Sequence, residues 1–208
     1  DLGEVETTAT KAGDGYTLSG TKTVVKYATG CAGYIVSART DAGISLFLVA
    51  PDAVQLRDYA TADGGRASEI TLDGAPGEML LEDGAAALDA ASDRAVLALS
   101  AEALGIMATI REMTIDYLRQ RKQFGVPIGK FQALQHRVAE MLLEIEQARS
   151  ITIHAAAKLD ESDRKARSLA VAQAKNLIGR AGSQPRKVGA RSGRGPGKEK
   201  GAGRHVRL

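Results

Sequence analysis

Between Tyr117 and His136 the chain gathers its most chemically suggestive side chains. Arg119, Arg121 and Lys122 stand at the end of a helical pattern, Gly125 and Pro127 break it, and a second helical pattern starts near Lys130. Cations at a helix C-terminus interact favourably with the helix dipole, and this is the plainer use for them. The helix that follows opens its first N–H groups onto the same loop. A fixed guanidinium beside a helix N-terminus makes a cradle for a diphosphate. The residues alone leave both uses open.

Other combinations offer less. Cys31 is the only cysteine, which excludes an internal disulfide and a cysteine-built metal centre, and it reads as a small buried apolar residue. His136, His154 and His205 are too widely spaced for a histidine metal site, and no metal is expected. His136 reads as a polar-face histidine. Glu140, Glu144 and Glu146 read as a solvated helix face, with Glu146 three residues before Arg149 and able to pair with it. Asp93 and Glu102 are the carboxylates of the first helical stretch that could be asked to take a proton. Both read as solvated charges rather than bases.

Three zones must position these residues. Residues 1–84 read as strands, mixing β-branched and aromatic residues with turn glycines over 15–25 and continuing at 34–39, 44–49, 54–57 and 69–72, punctuated by Asp14-Gly15, Asp41-Ala42-Gly43, Asp63-Gly64-Gly65 and Asp73-Gly74. Strands this short and regular predict an antiparallel β-barrel or sandwich. Residues 85–180 carry helical periodicity. Val96, Ser100, Ala103, Met107, Ile110, Thr114 and Tyr117 step by four and three, with Leu97, Leu104 and Leu118 widening the face. Phe131, Leu134, Val138, Met141, Ile145 and Ala148 form a second seam, and Ala170, Val171, Ala174, Leu177 and Ile178 a third. These predict an α+β chain, the β domain being followed by an incomplete up-down helical bundle.

Residues 181–208 form the third zone, with eight basic side chains against Glu199, a net +7, while residues 1–180 carry twenty basic and twenty-four acidic side chains, a net −4. This tail has seven glycines and three large apolar residues, Val188, Val206 and Leu208, and is expected to be disordered. Its charge would give salt-sensitive, non-specific nucleic-acid binding, but it has no aromatic residue to stack on bases, so nucleic acid is not an expected partner. No run approaches the ~18 apolar residues of a membrane span, and no secretory-signal pattern opens the chain. A cytoplasmic location, with no membrane association, is expected.

Arg121, Phe124, Gly125, Phe131 and Gln132 reproduce a signature: Arg-x-x-Phe-Gly, a short loop, then an aromatic or histidine before Gln. With Gly15-Tyr16, Gly20-Thr21-Lys22, Ala38-Arg39 and Glu146-Gln147-Ala148-Arg149 in order, residues 1–180 resemble the acyl-CoA dehydrogenase family. The segment 131–136 is most similar to the pimeloyl-CoA dehydrogenase small-subunit type. The resemblance implies FAD as cofactor and an acyl-CoA substrate desaturated between its α and β carbons, with a carboxylate taking the α-proton and hydride passing to flavin N5. It implies an oligomer of like or homologous subunits and an electron-accepting partner protein. It implies that Arg121 and Gln132, with Gln123 and Phe131, touch FAD held mainly by a neighbouring subunit.

Four departures accompany the match. The chain starts inside the family's β-domain. Val24, Val25 and Lys26 occupy the place of a Trp-x-Thr that faces the flavin ring. Ala95 stands where one subgroup has its catalytic glutamate. After residues 178–182 the family pattern stops, and the abrupt shift to Gly, Arg and Pro is what a frame change in GC-rich DNA would produce. No catalytic residue is therefore assigned. The expectation is a fragment or truncated form of a flavin-dependent dehydrogenase, inactive by itself; the alternative is a non-catalytic subunit completing the FAD site of a homologous partner.

Overall fold

A computed structural model describes residues 4–183. The tail expected to be disordered or frame-shifted lies outside the described residues from residue 184 onward. The chain divides into two compact units, with the boundary between Ala90 and Ala91.

The first unit is a barrel. Strands β1 (Thr8–Ala12), β2 (Gly15–Lys26), β3 (Tyr34–Thr40), β4 (Gly43–Val49), β5 (Gln55–Ala60) and β6 (Arg66–Leu81) form one sheet in the order β2-β1-β3-β4-β6-β5. An additional antiparallel ladder between β2 and β6 closes it. Strand β5 remains an edge, paired on β6 alone. Inward positions alternate as the pleat demands. Leu18, Phe47, Val49 and Ile70 are fully buried, with Val36 and Ala38 beside them. The ring of Tyr16 lies 5.1 Å from that of Phe47.

The β expectation holds with three local corrections. One junction is parallel, since β1 meets β3 at Thr8↔Arg39. Strand β1 was not anticipated, because its sequence TATKA buries only Ala9. Asp73-Gly74 does not reverse the chain. It lies inside the sixteen-residue β6, where Leu18 pairs with Ala75 but Gly20 pairs with Leu72. The extra β6 residue is a bulge, and Gly74 takes it at φ +65°. The glycine signal was real, but in the middle of a ladder it bends a strand instead of ending it.

The second unit is helical. Helix α1 (Gly84–Gln120) begins in the first unit and continues through the second; α2 (Gln132–Ala157) and α3 (Arg164–Ala181) follow. Met107, Met141, Ile145, Ala148, Ile178 and Ala181 form one core. Leu97, Ala155, Ala170 and Ala174 form the other. The early part of α1 therefore meets the late part of α2 and the early part of α3, an up-down-up order. Asp163 caps α3 by accepting from Lys165 N at 2.9 Å.

The α1 stripe read from sequence holds at its centre, at Ser100, Met107 and Thr114, and shifts by one residue only at its ends, to Leu97 and Leu118. Leu97, Ser100, Met107, Thr114 and Leu118 are buried, whereas Tyr117 is 38% exposed. The rhythm of three and four is correct; adjacent apolar pairs, Val96-Leu97 and Tyr117-Leu118, allow either phase. The α2 seam holds from Met141 to Ala148 and continues through Thr152 to Ala155, but Phe131 at its start is exposed.

Candidate cofactor-binding site

Helix α1 ends where Arg121 N donates to Tyr117 O at 2.9 Å. Strands β7 (Lys122–Gln123) and β8 (Val126–Pro127) then form a two-residue hairpin. Phe124 and Gly125 are its tip, at φ +53° and +80°. Two left-handed residues in a two-residue loop match the right-handed twist of the flanking strands. Glycine takes this conformation freely, whereas phenylalanine does so at a cost. The result is a ring 90% exposed, edge-on to Phe131 with centroids 6.2 Å apart.

A 3-10 turn, Ile128–Lys130, leads into α2. Ile128 N donates to Arg121 O at 2.8 Å and Gln135 Nε2 to Gly129 O at 3.0 Å, tying the hairpin and turn to both helices. A Cβ on Gly129 would stand 3.1 Å from Leu118 O, so the turn lies tight on the end of α1. Phe131 is the N-cap of α2 and makes no side-chain cap bond. No side chain satisfies the N–H groups of the first turn of α2, of which Leu134 N already donates to Phe131 O at 3.0 Å.

The four residues read as cofactor contacts gather here. Arg121 is exposed immediately after α1, Gln123 is half-buried in β7, Phe131 caps α2, and Gln132 is its exposed first residue. Lys122 and Lys130 are exposed beside them. Arg119 is held at 3.7 Å from Asp116 on its own helix. An uncapped helix N-terminus flanked by a guanidinium and two ammonium groups suits a diphosphate.

The description "acyl-CoA dehydrogenase, C-terminal domain" matches residues 82–184. The chain belongs to the acyl-CoA dehydrogenase family. It is 32% identical over 166 residues to acyl-CoA dehydrogenase FadE27 of Mycobacterium tuberculosis, covering 77% of this chain and 44% of that protein. Among solved structures it resembles glutaryl-coenzyme A dehydrogenase in its glutaryl-CoA complex, with TM-score 0.81 and 29% identity over 91% of this chain and 51% of the other. It likewise resembles PigA with FAD and proline, with TM-score 0.81, 26% identity, and coverage of 92% and 54%. The chain spans about half the length of the curated relatives it matches, from 44% to 51% for the first three.

The family's other positions behave differently. At Val24 the β2–β6 register slips again, with Lys22 on Ile70 but Val25 on Ser68. Val24 occupies the resulting bulge at φ +55° and is 59% exposed. A β-branched residue in that region is strained. Lys26 turns its charge to Asp63 at 2.7 Å, where Thr61 and Gly65 N also donate. Those donors pull the Asp63 carboxyl below the ordinary range, and the partnership raises Lys26.

None of the carboxylates weighed from sequence is poised as a base. Asp93 accepts from Arg167 Nε at 2.8 Å and from Ser168 Oγ at 3.0 Å, a pair 14% and 13% exposed. It is a largely shielded structural partner, not the solvated charge expected. Glu102 is exposed on α1, and Ala95 is exposed and cannot take a proton. Glu146 pairs with Arg149 at 3.4 Å, as its spacing predicts, and Glu140 with Arg137 at 2.9 Å. His136 is exposed. Arg94 reaches Asp160 at 3.2 Å. Cys31 is exposed rather than buried, with its thiol 3.2 Å from Tyr27 O. Among the described residues no helix is long and apolar enough to cross a membrane, and no acidic, histidine or cysteine cluster could hold a metal.

Proposed function

We propose that this chain works within an FAD-dependent acyl-CoA dehydrogenase, where its hairpin and α2 N-terminus hold the diphosphate of the cofactor. The observation that carries this reading is the uncapped start of α2 beside exposed Arg121, Lys122 and Lys130. Arg121 offers two phosphate oxygens a planar pair of donors. Gln132, at the first helical position, adds an amide to the same anion. Gln123 and the Phe131 ring line the approach. When bound, FAD supplies the hydride acceptor for desaturation of an acyl-CoA.

The 90% exposed Phe124 at the hairpin tip supports a site completed by a second subunit. So do Leu99, Ile106 and Met113, which recur every seven residues along α1 and are 64%, 41% and 68% exposed. The proposal is a homo-oligomer or a hetero-oligomer with a homologous chain, passing electrons to an acceptor protein. The segment 131–136 supports the small-subunit type within the family. With Asp93 committed to Arg167, and Ala95 in place of an acid, the chain does not take the α-proton by itself.

The test is FAD affinity of the 208-residue chain by fluorescence quenching, with and without Arg121. Replacing Arg121 with Ala removes a charge-assisted bond, about 1.5–3 kcal/mol, or on the order of ten- to a hundredfold in Kd. Arg121→Lys should recover only part, since an ammonium lacks the paired donors. Equal affinity in all three proteins would sink the diphosphate reading. Bleaching of bound flavin by acyl-CoA would instead sink the claim that the chain lacks its own base.

A further inference from the structure

The barrel unit contains a cavity of about 630 Å³ that the diphosphate reading does not use, although Val24 and Val25, at the place of the family's flavin-facing residues, are on its lining. Its origin lies in the strand pairing. The β1–β2 ladder ends at Ser19, and β1 touches β3 only at Thr8↔Arg39. Beyond those points no ladder joins residues 21–25 of β2 to Gly33 and the first residues of β3, Tyr34 to Ser37, and both stretches line the cavity.

Lys22 is the only cation on that lining. It is half-buried, and its Nζ donates across the gap to Ser37 Oγ at 3.2 Å. The hydroxyl is a neutral partner. Glu4 and Glu6 also line the cavity, but among the described residues no carboxylate forms an ion pair with Lys22. The contrast stands four residues along the same strand, where Lys26 is neutralised by Asp63. Burial without a counter-charge disfavours the ammonium form and lowers the Lys22 pKa below its ordinary value, whereas Lys26 is raised. A free amine is the nucleophilic form of lysine, and a desolvated lysine beside a cavity meets its electrophile without an excess of competing water.

We propose that Lys22 is a site of covalent acylation by small acyl thioesters that enter this cavity. The neutral Nζ lone pair attacks the thioester carbonyl carbon. The C–N bond forms, the C–S bond breaks, and the sulfur leaves with its electron pair as a thiolate. The proton shed by nitrogen passes to that thiolate or to water. The products are an amide on Lys22 and a thiol, with no oxidant or reductant required. Acylation removes the one positive charge of the cavity and fills part of its volume. The inference does not rest on the FAD site, and its test can fail while that reading stands.

The full chain is incubated with S-acetyl-N-acetylcysteamine across a range of pH, and acetylation of each lysine is followed by peptide mass spectrometry. Lys22 should react several-fold faster than Lys26 and the exposed Lys11 of β1. Its rate should level off at lower pH than theirs, and in urea the three rates should converge. Lys22→Arg should leave the other rates unchanged. If native Lys22 reacts no faster than Lys11, or keeps its advantage in urea, the proposal is overturned. The urea comparison uses the unaltered chain, so the outcome does not depend on whether a variant folds.

Discussion

Replacing Asp93 with Ala should destabilise the helical unit by about 3–5 kcal/mol, because it strands a guanidinium that is almost out of water. Arg167 Nε and Ser168 Oγ both donate to one carboxylate oxygen of Asp93. The pair is 14% and 13% exposed and ties α1 to α3. Removing the acid leaves Arg167 without its charge partner and Ser168 without its acceptor. The exposed pair Arg94–Asp160, one residue away on α1, provides the control: Asp160 is 93% exposed, and Arg94→Ala should cost less than about 1 kcal/mol. A paired replacement, Asp93→Leu with Arg167→Met, separates the worth of the bond from the penalty of breaking it. It should recover most of the loss, since no charge is then left buried. Urea unfolding followed by helical circular dichroism measures all three. A cost for Asp93→Ala no larger than for Arg94→Ala would show that water reaches Arg167 and that the pair is not structural.

That pair also shows where sequence reading stops. Asp93 and Arg167 are 74 residues apart, and nothing local to either predicts the other. The same holds for Lys22 and Ser37, and for the β2–β6 ladder that closes the barrel. Periodicity, by contrast, is local, so the α2 seam at Met141, Ile145 and Ala148 was legible from spacing alone. Its limit is phase: where two apolar residues adjoin, as at Val96-Leu97, the stripe can lie under either. Strand β1 was illegible because it buries only Ala9 and so shows no apolar alternation, and the strand is held by its hairpin with β2. The cation-rich loop was legible as a break between helices. That Phe124 is held left-handed and outward was not, since phenylalanine is a poor residue for that turn position.

The barrel should be most sensitive to a single methyl group at Gly20. Its φ of +142° is one that side chains rarely adopt, and an added Cβ would stand 2.9 Å from Thr7 Cα and 3.0 Å from Thr7 Oγ1. Whether that clash can relax decides the cost. Thr7 is 1% exposed, and its carbonyl accepts from Arg39 N at 2.8 Å, which pins its backbone to the end of β3. Thr7 Oγ1 is buried, and no hydrogen-bond partner for it stands among the described residues. Gly20→Ala therefore combines backbone strain of roughly 1–3 kcal/mol with a backbone clash that has nowhere to go. Gly74→Ala separates the two contributions. Gly74 also sits at positive φ, +65°, but a Cβ there meets nothing within 4 Å. It should cost only the left-handed penalty, about 1–2 kcal/mol. The difference between the two variants, measured by denaturant unfolding of the barrel unit, isolates the contact with Thr7. Equal costs would mean that Thr7 moves aside, and that β1 is held more loosely than its hydrogen bond to β3 implies.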